Sequence, residues 1–134
     1  MFVAEIERIA GIALVLMDSI AAIAPSHEGA IVLTGSHGGQ SAGEYALKVP
    51  LRAVIFNDAG IGKDEAGVVA LALLEKIGVP AVAIAHTSGR IGDAQDMWAN
   101  GVISRVNEAA QARGARAGMS APDAARCFAV SSAG

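Results

Sequence analysis

Charge is scarce in this chain. Only 17% of the 134 residues are Asp, Glu, Lys or Arg, the formal net charge is −3, and the ten Lys and Arg residues are scattered from Arg8 to Arg126. No basic stripe exists to follow a phosphate backbone, so nucleic acid is excluded as a partner. Cysteine is almost absent. The single Cys127 can make neither an internal disulfide nor a metal cage alone, which fits a reducing compartment and gives a cytoplasmic location as the expectation. The N-terminal run is not expected to be a leader or a membrane span. The apolar run over residues 9–24 is preceded by Glu5 and Glu7 where a signal peptide carries positive charge. It is interrupted by Asp18 and stopped by Pro25 short of the ~20 residues that cross a bilayer. Low-complexity stretches and true internal repeats are absent too.

Apolar residues are abundant, at 53% of the chain with a mean hydropathy of +0.47. Such a composition excludes a disordered tail and suits one compact domain spanning residues 1–134. A chain of this size leaves about a third of its unfolded surface exposed. Self-association is the economical cover for the greasy part of that surface, and a homo-oligomer is expected.

At about 100° per residue, Ile6, Ile9, Ala13, Leu16, Met17, Ile20 and Ile23 share one side of a helical wheel and Glu5, Glu7, Arg8 and Asp18 the other. The periodicity predicts an N-terminal amphipathic helix within residues 1–25. Beyond Pro25 the pattern becomes apolar run, glycine-rich loop, then helix, repeated over residues 30–130. Strands are expected at 30–34, 52–56, 81–85 and 101–104, and helices at 41–48, 63–77, 93–99 and 106–113. Ser120-Ala-Pro-Asp123 reads as a capping box with proline in the first turn, opening a last helix that reaches Phe128. Strands apolar at every position are buried on both faces, and intervening helices require crossover connections. The expected fold is therefore a small three-layer α/β domain, with a mostly parallel sheet of three to four strands flanked by helices and preceded by the N-terminal helix. Residues 131–134 are expected to fray.

Parallel strands end along one edge, so their following loops pool their contents. The first loop supplies Ser36, His37, Gly38 and Gly39; the second supplies Asn57, Asp58 and Lys63; the third supplies His86, Ser88, Arg90 and Asp93. His37 and His86 can act as base or acid near neutral pH. Asp58, next to a buried strand end, needs a partner to offset its desolvation. These three are the candidate catalytic residues. The glycines let backbone N–H groups approach a ligand, the loops run into helix starts, and Lys63 and Arg90 add positive charge. An anionic small molecule is the expected ligand, bound by Ser36, Gly38, Gly39, Asn57, Lys63, Ser88, Arg90 and Asp93. Arg90 with Asp93 could instead form an ion pair, and Asp93 could simply cap its helix. His37, Asp58, His86 and Asp93 are also metal-ligating types, but no local ligand spacing supports a metal site and no cofactor is indicated. The pattern suits an acid/base enzyme, whether hydrolase, lyase or isomerase, or a non-catalytic ligand-binding or regulatory subunit with the same pocket.

Overall fold

The computed structural model describes residues 1–130, so the fraying expected at 131–134 lies outside the described residues. A six-stranded sheet runs in sequence order: β1 (Val3–Ile9), β2 (Ile12–Met17), β3 (Ile31–His37), β4 (Ala53–Asn57), β5 (Ala81–Ile84) and β6 (Ile103–Val106). The inner pairings β2–β3, β3–β4 and β4–β5 are parallel, whereas β1–β2 and β5–β6 are antiparallel. The sheet is therefore mixed and larger than the mostly parallel one of three to four strands that the sequence pattern predicts.

The second correction is at the N-terminus, where a β-hairpin replaces the expected amphipathic helix. Residues Ala13 to Met17 are apolar at every position, a pattern that serves a strand buried on both faces as well as a helix. In the structure Leu14 and Leu16 face one core while Val15 and Met17 face the other. The reversal is a two-residue turn at Ala10 (φ 52°) and Gly11 (φ 83°), both in the left-handed region that tight hairpins require. Ala-Gly lacks the usual Asn-Gly signature, so the turn is hard to see in the sequence. Glu5, Glu7 and Arg8 then fall on an exposed edge strand, not a helix face. Together with a bulge between Glu5 and Glu7 they blunt that edge against further pairing.

Helices cover both faces of the sheet. On one side α1 (Gln40–Ala46) and α2 (Val69–Glu75) pack Ala42, Ala46, Ala70, Leu71 and Leu74 against Val15, Met17, Val32, Val54 and Phe56. On the other, α3 (Ala94–Asn100), α4 (Glu108–Ala112) and α5 (Ala121–Ala129) bring Met97, Ala110, Ala125 and Phe128 onto Leu14, Leu33, Ile55 and Ile84. Small residues on the helices let them approach closely, and each fully buried large side chain contributes about 1.5–3 kcal/mol. The apolar composition is thus taken up in two cores.

Caps appear where the sequence placed them. Asp93 accepts from Asp96 N at the start of α3, and Ser120 accepts from Asp123 N at the start of α5. The helix expected over 63–77 is broken, however. A 3-10 segment (Lys63–Val68) with Asp64 and Glu65 at φ 55° and 57° precedes α2. Its cause is a knot of backbone bonds, Ile61 N to Asp58 O (2.6 Å) and Gly67 N to Ile61 O (2.7 Å), which holds the chain in a tight loop before the helix can begin. Among the described residues, no helix is long and apolar enough to cross a membrane.

Candidate functional site at the strand ends

The three parallel pairings send the ends of β2 to β5 to one edge. His37 stands opposite Asn57 in the ladder, and Asn57 opposite Ile84, so His37, Asp58 and His86 succeed one another along this rim. Because β6 runs antiparallel, its beginning lies beside the end of β5 and adds Ser104 to the group.

Asp58 is the centre of this arrangement. Its side chain is only 5% exposed, while that of His86 is 53% exposed. Oδ1 accepts from Gly60 N (2.8 Å) and His86 N (3.0 Å), and His86 Nδ1 lies 3.3 Å away from the same oxygen. Oδ2 accepts from the Ser104 hydroxyl at 2.7 Å. Burial, the largest single influence, raises the carboxyl's pKa. The hydrogen bonds from Ser104, from Gly60 N and from the backbone and ring of His86 together outweigh it and hold Asp58 below the ordinary aspartate value. The result is a fixed anion beneath an accessible imidazole, the arrangement that orients a general base. Ser104 was not among the residues expected from sequence. Its place depends on a strand returning antiparallel, and nothing in the local residue pattern announces it.

His37 lies on the same rim but in a separate recess. Its Nδ1 accepts from Gly39 N at 3.0 Å, and with Ser36, Ser19, Ser41 and Tyr45 it lines a cleft of about 140 Å³. Ser36 is tied inward, its Oγ accepting from Ile20 N at 3.0 Å. Between the two histidines the segment 58–67 crosses the end of β4. Gly38 packs on the carbonyl of Gly67, and Gly60 sits against the His86 ring.

The remaining candidates mostly hold the loops. Asn57 is fully buried, its Nδ2 donating to Gly89 O and its Oδ1 accepting from Ala59 N. Ser88 Oγ donates to Ala85 O and accepts from Val102 N, so it bridges the β5 loop to the start of β6. Asp93 caps α3, as one of its sequence readings allowed, and Ala94 N at the same helix start donates to Asp18 Oδ1. Asp18 Oδ2 accepts from Phe2 N, clamping the hairpin to α3. Asp96 accepts from Arg90 N and from the Asn100 amide; these bonds, the backbone one foremost, lower its pKa.

The loop amides expected to face a ligand have acceptors inside the protein. Gly38 N donates to Asn57 O, Gly39 N to His37, Gly60 N to Asp58, Gly89 N to Ala85 O and Gly92 N to Gly35 O. These five amides therefore have no free N–H to offer an anion. The side chains of Lys63 and Arg90 make no hydrogen bond or ion pair with other described residues.

Two larger clefts lie elsewhere. One of about 520 Å³ opens between the hairpin and residues 26–30, at the opposite edge of the sheet, and one of about 530 Å³ lies between α2 and β6. Their size alone does not make them sites, because neither gathers an oriented acid–base pair. Among the described residues, no three His, Cys, Asp or Glu side chains form a group that could hold a metal ion. Comparison of the chain with protein-family models, with curated proteins and with solved structures found no match.

Proposed function

We propose that this chain is a small-molecule enzyme in which His86, oriented by Asp58, moves a proton to or from an anionic metabolite at the edge where the parallel strands end. The observation that carries this proposal is the contrast between a nearly buried carboxylate and the half-exposed imidazole it holds at 3.3 Å. A carboxylate in that position fixes the ring's orientation and stabilises the imidazolium formed when the ring takes a proton. Lys63 and Arg90 support the anionic character of the ligand, since their segments flank the rim. Hydrolysis, elimination and isomerisation all need such a base, and the reaction class follows from the substrate.

A second reading, a non-catalytic ligand-binding or regulatory subunit with the same pocket, has one specific observation in its favour. Three of the four contacts to Asp58, from Gly60 N, His86 N and Ser104, tie loops together and would serve a purely structural role equally well. Screening hydrolase, lyase and isomerase substrates with wild type and His86→Gln separates the two. The enzyme reading predicts turnover that falls by about 10²–10⁴ in the variant. Turnover unchanged by His86→Gln would overturn the role given to His86, whereas saturable binding with no turnover of any class would favour the binding subunit.

A further inference from the structure

We infer that the two rim histidines are held in opposite tautomers, His86 with its proton on Nδ1 and His37 with its proton on Nε2, so that the site offers a bare base at one end and a hydrogen-bond donor at the other. This division of labour rests on the acid–base role proposed above and assigns the substrate class that role requires.

The assignment follows from partners whose own polarity is fixed. A backbone N–H only donates, so the bond from Gly39 N requires a lone pair on His37 Nδ1, and the proton of the neutral ring sits on Nε2. An ionised carboxylate only accepts. Of the two neutral tautomers, only the one with its proton on Nδ1 makes the 3.3 Å approach of His86 Nδ1 to Asp58 Oδ1 attractive, and it leaves the lone pair on Nε2. His27, the third histidine, accepts from Ala24 N through Nδ1 at 3.0 Å and belongs with His37. His86 is thus the odd one of the three.

The two rings then ask for different atoms. His86 Nε2 takes a proton from a hydroxyl, a water or a C–H beside a carbonyl; His37 Nε2–H gives a hydrogen bond to an oxygen acceptor such as a carboxylate. They are carried by β3 and the end of β5, two ladder steps apart, which sets a separation on the order of 10 Å. The ground between them is filled by the 58–67 segment, with Gly38 on Gly67 O and Gly60 beside His86. A ligand engaging both rings lies across that segment. It is an elongated molecule with an acidic proton towards one end and an oxygen acceptor towards the other, and a two-carbon acid is too short.

Long-range ¹H–¹⁵N correlation spectra of the imidazoles in uniformly labelled wild-type protein, at a pH where the rings are neutral, test this without any variant. The expected result is an Nε2–H pattern for His27 and His37 and an Nδ1–H pattern for His86. Addition of ω-hydroxyhexanoate is expected to displace the Nε2 resonances of both rim histidines, and glycolate at most one. A proton on Nε2 of His86, or on Nδ1 of His37, overturns the assignment of roles. Failure of ω-hydroxyhexanoate to reach both rings overturns the substrate class. If the tautomers are as assigned while His86→Gln retains turnover, the acid–base function fails and the division of the two rings stands.

Discussion

Asp58 joins the ends of β4, β5 and β6 through one side chain and at the same time orients His86. Replacing it by Asn keeps the volume but removes the charge. Each of its donors then faces either a weaker acceptor or an amide N–H₂, and a loss of about 1–3 kcal/mol in stability at neutral pH is expected from denaturant unfolding. The pH dependence has a definite sign. The folded-state pKa of Asp58 is lowered, so its ionised form contributes fully above the ordinary aspartate value of about 4, and that contribution disappears as the pH falls through the folded value. The gap between wild type and Asp58→Asn should therefore narrow below about pH 4. A gap that is constant from neutral to acid pH would show that the carboxylate's charge is irrelevant to its tie. At this scale the sequence was informative about the position of Asp58, His37 and His86 beside strand ends, because residue type and nearness to a strand end are local facts. It was silent on Ser104, whose role needs the direction of β6. For Ser88 and Asn57 it named polar residues whose bonds turn out to close loops.

At the scale of elements, the hairpin turn carries a correctable defect. Ala10 sits at φ 52°, a region that disfavours a Cβ, whereas Asn tolerates it. Ala10→Asn should raise the unfolding free energy by up to about 1 kcal/mol; a decrease would contradict the turn. Gly35 near the end of β3 offers the opposite case. A Cβ there would lie 2.5 Å from Asp18 O and 2.8 Å from the Gly92 Cα, all rigid backbone. Gly35→Ala should destabilise the fold by about 1–3 kcal/mol, the range of overpacking in a close contact, and thermal unfolding would show it; a neutral effect would mean that the β3 end and the 88–92 loop are not packed as described. Apolar strands, glycine-rich turns and capped helices were legible from residue 30 onward. Two elements were not, for physical reasons. The run Ile12–Met17 satisfies helical and two-faced strand patterns alike, and the break in the 63–77 helix comes from backbone bonds inside the 58–67 loop, which residue type alone does not announce.

For the whole molecule, the parallel middle of the sheet is what makes a single rim out of loops far apart in the chain. That convergence follows from topology, and it survives the correction of the sheet from a mostly parallel one of three to four strands to a mixed one of six. The antiparallel flanks do different work: β1 and β2 close one side, while β6 delivers Ser104. Clefts of about 520 and 530 Å³ lie off the rim, and neither is lined by His37, Asp58 or His86. The most direct measurement is residue-resolved NMR mapping of a library of small acids onto the labelled protein. The account predicts shift changes that cluster at His37, Asp58, His86 and Ser104. Changes confined to the cleft between the β1–β2 hairpin and residues 26–30, with the rim unmoved, would contradict it.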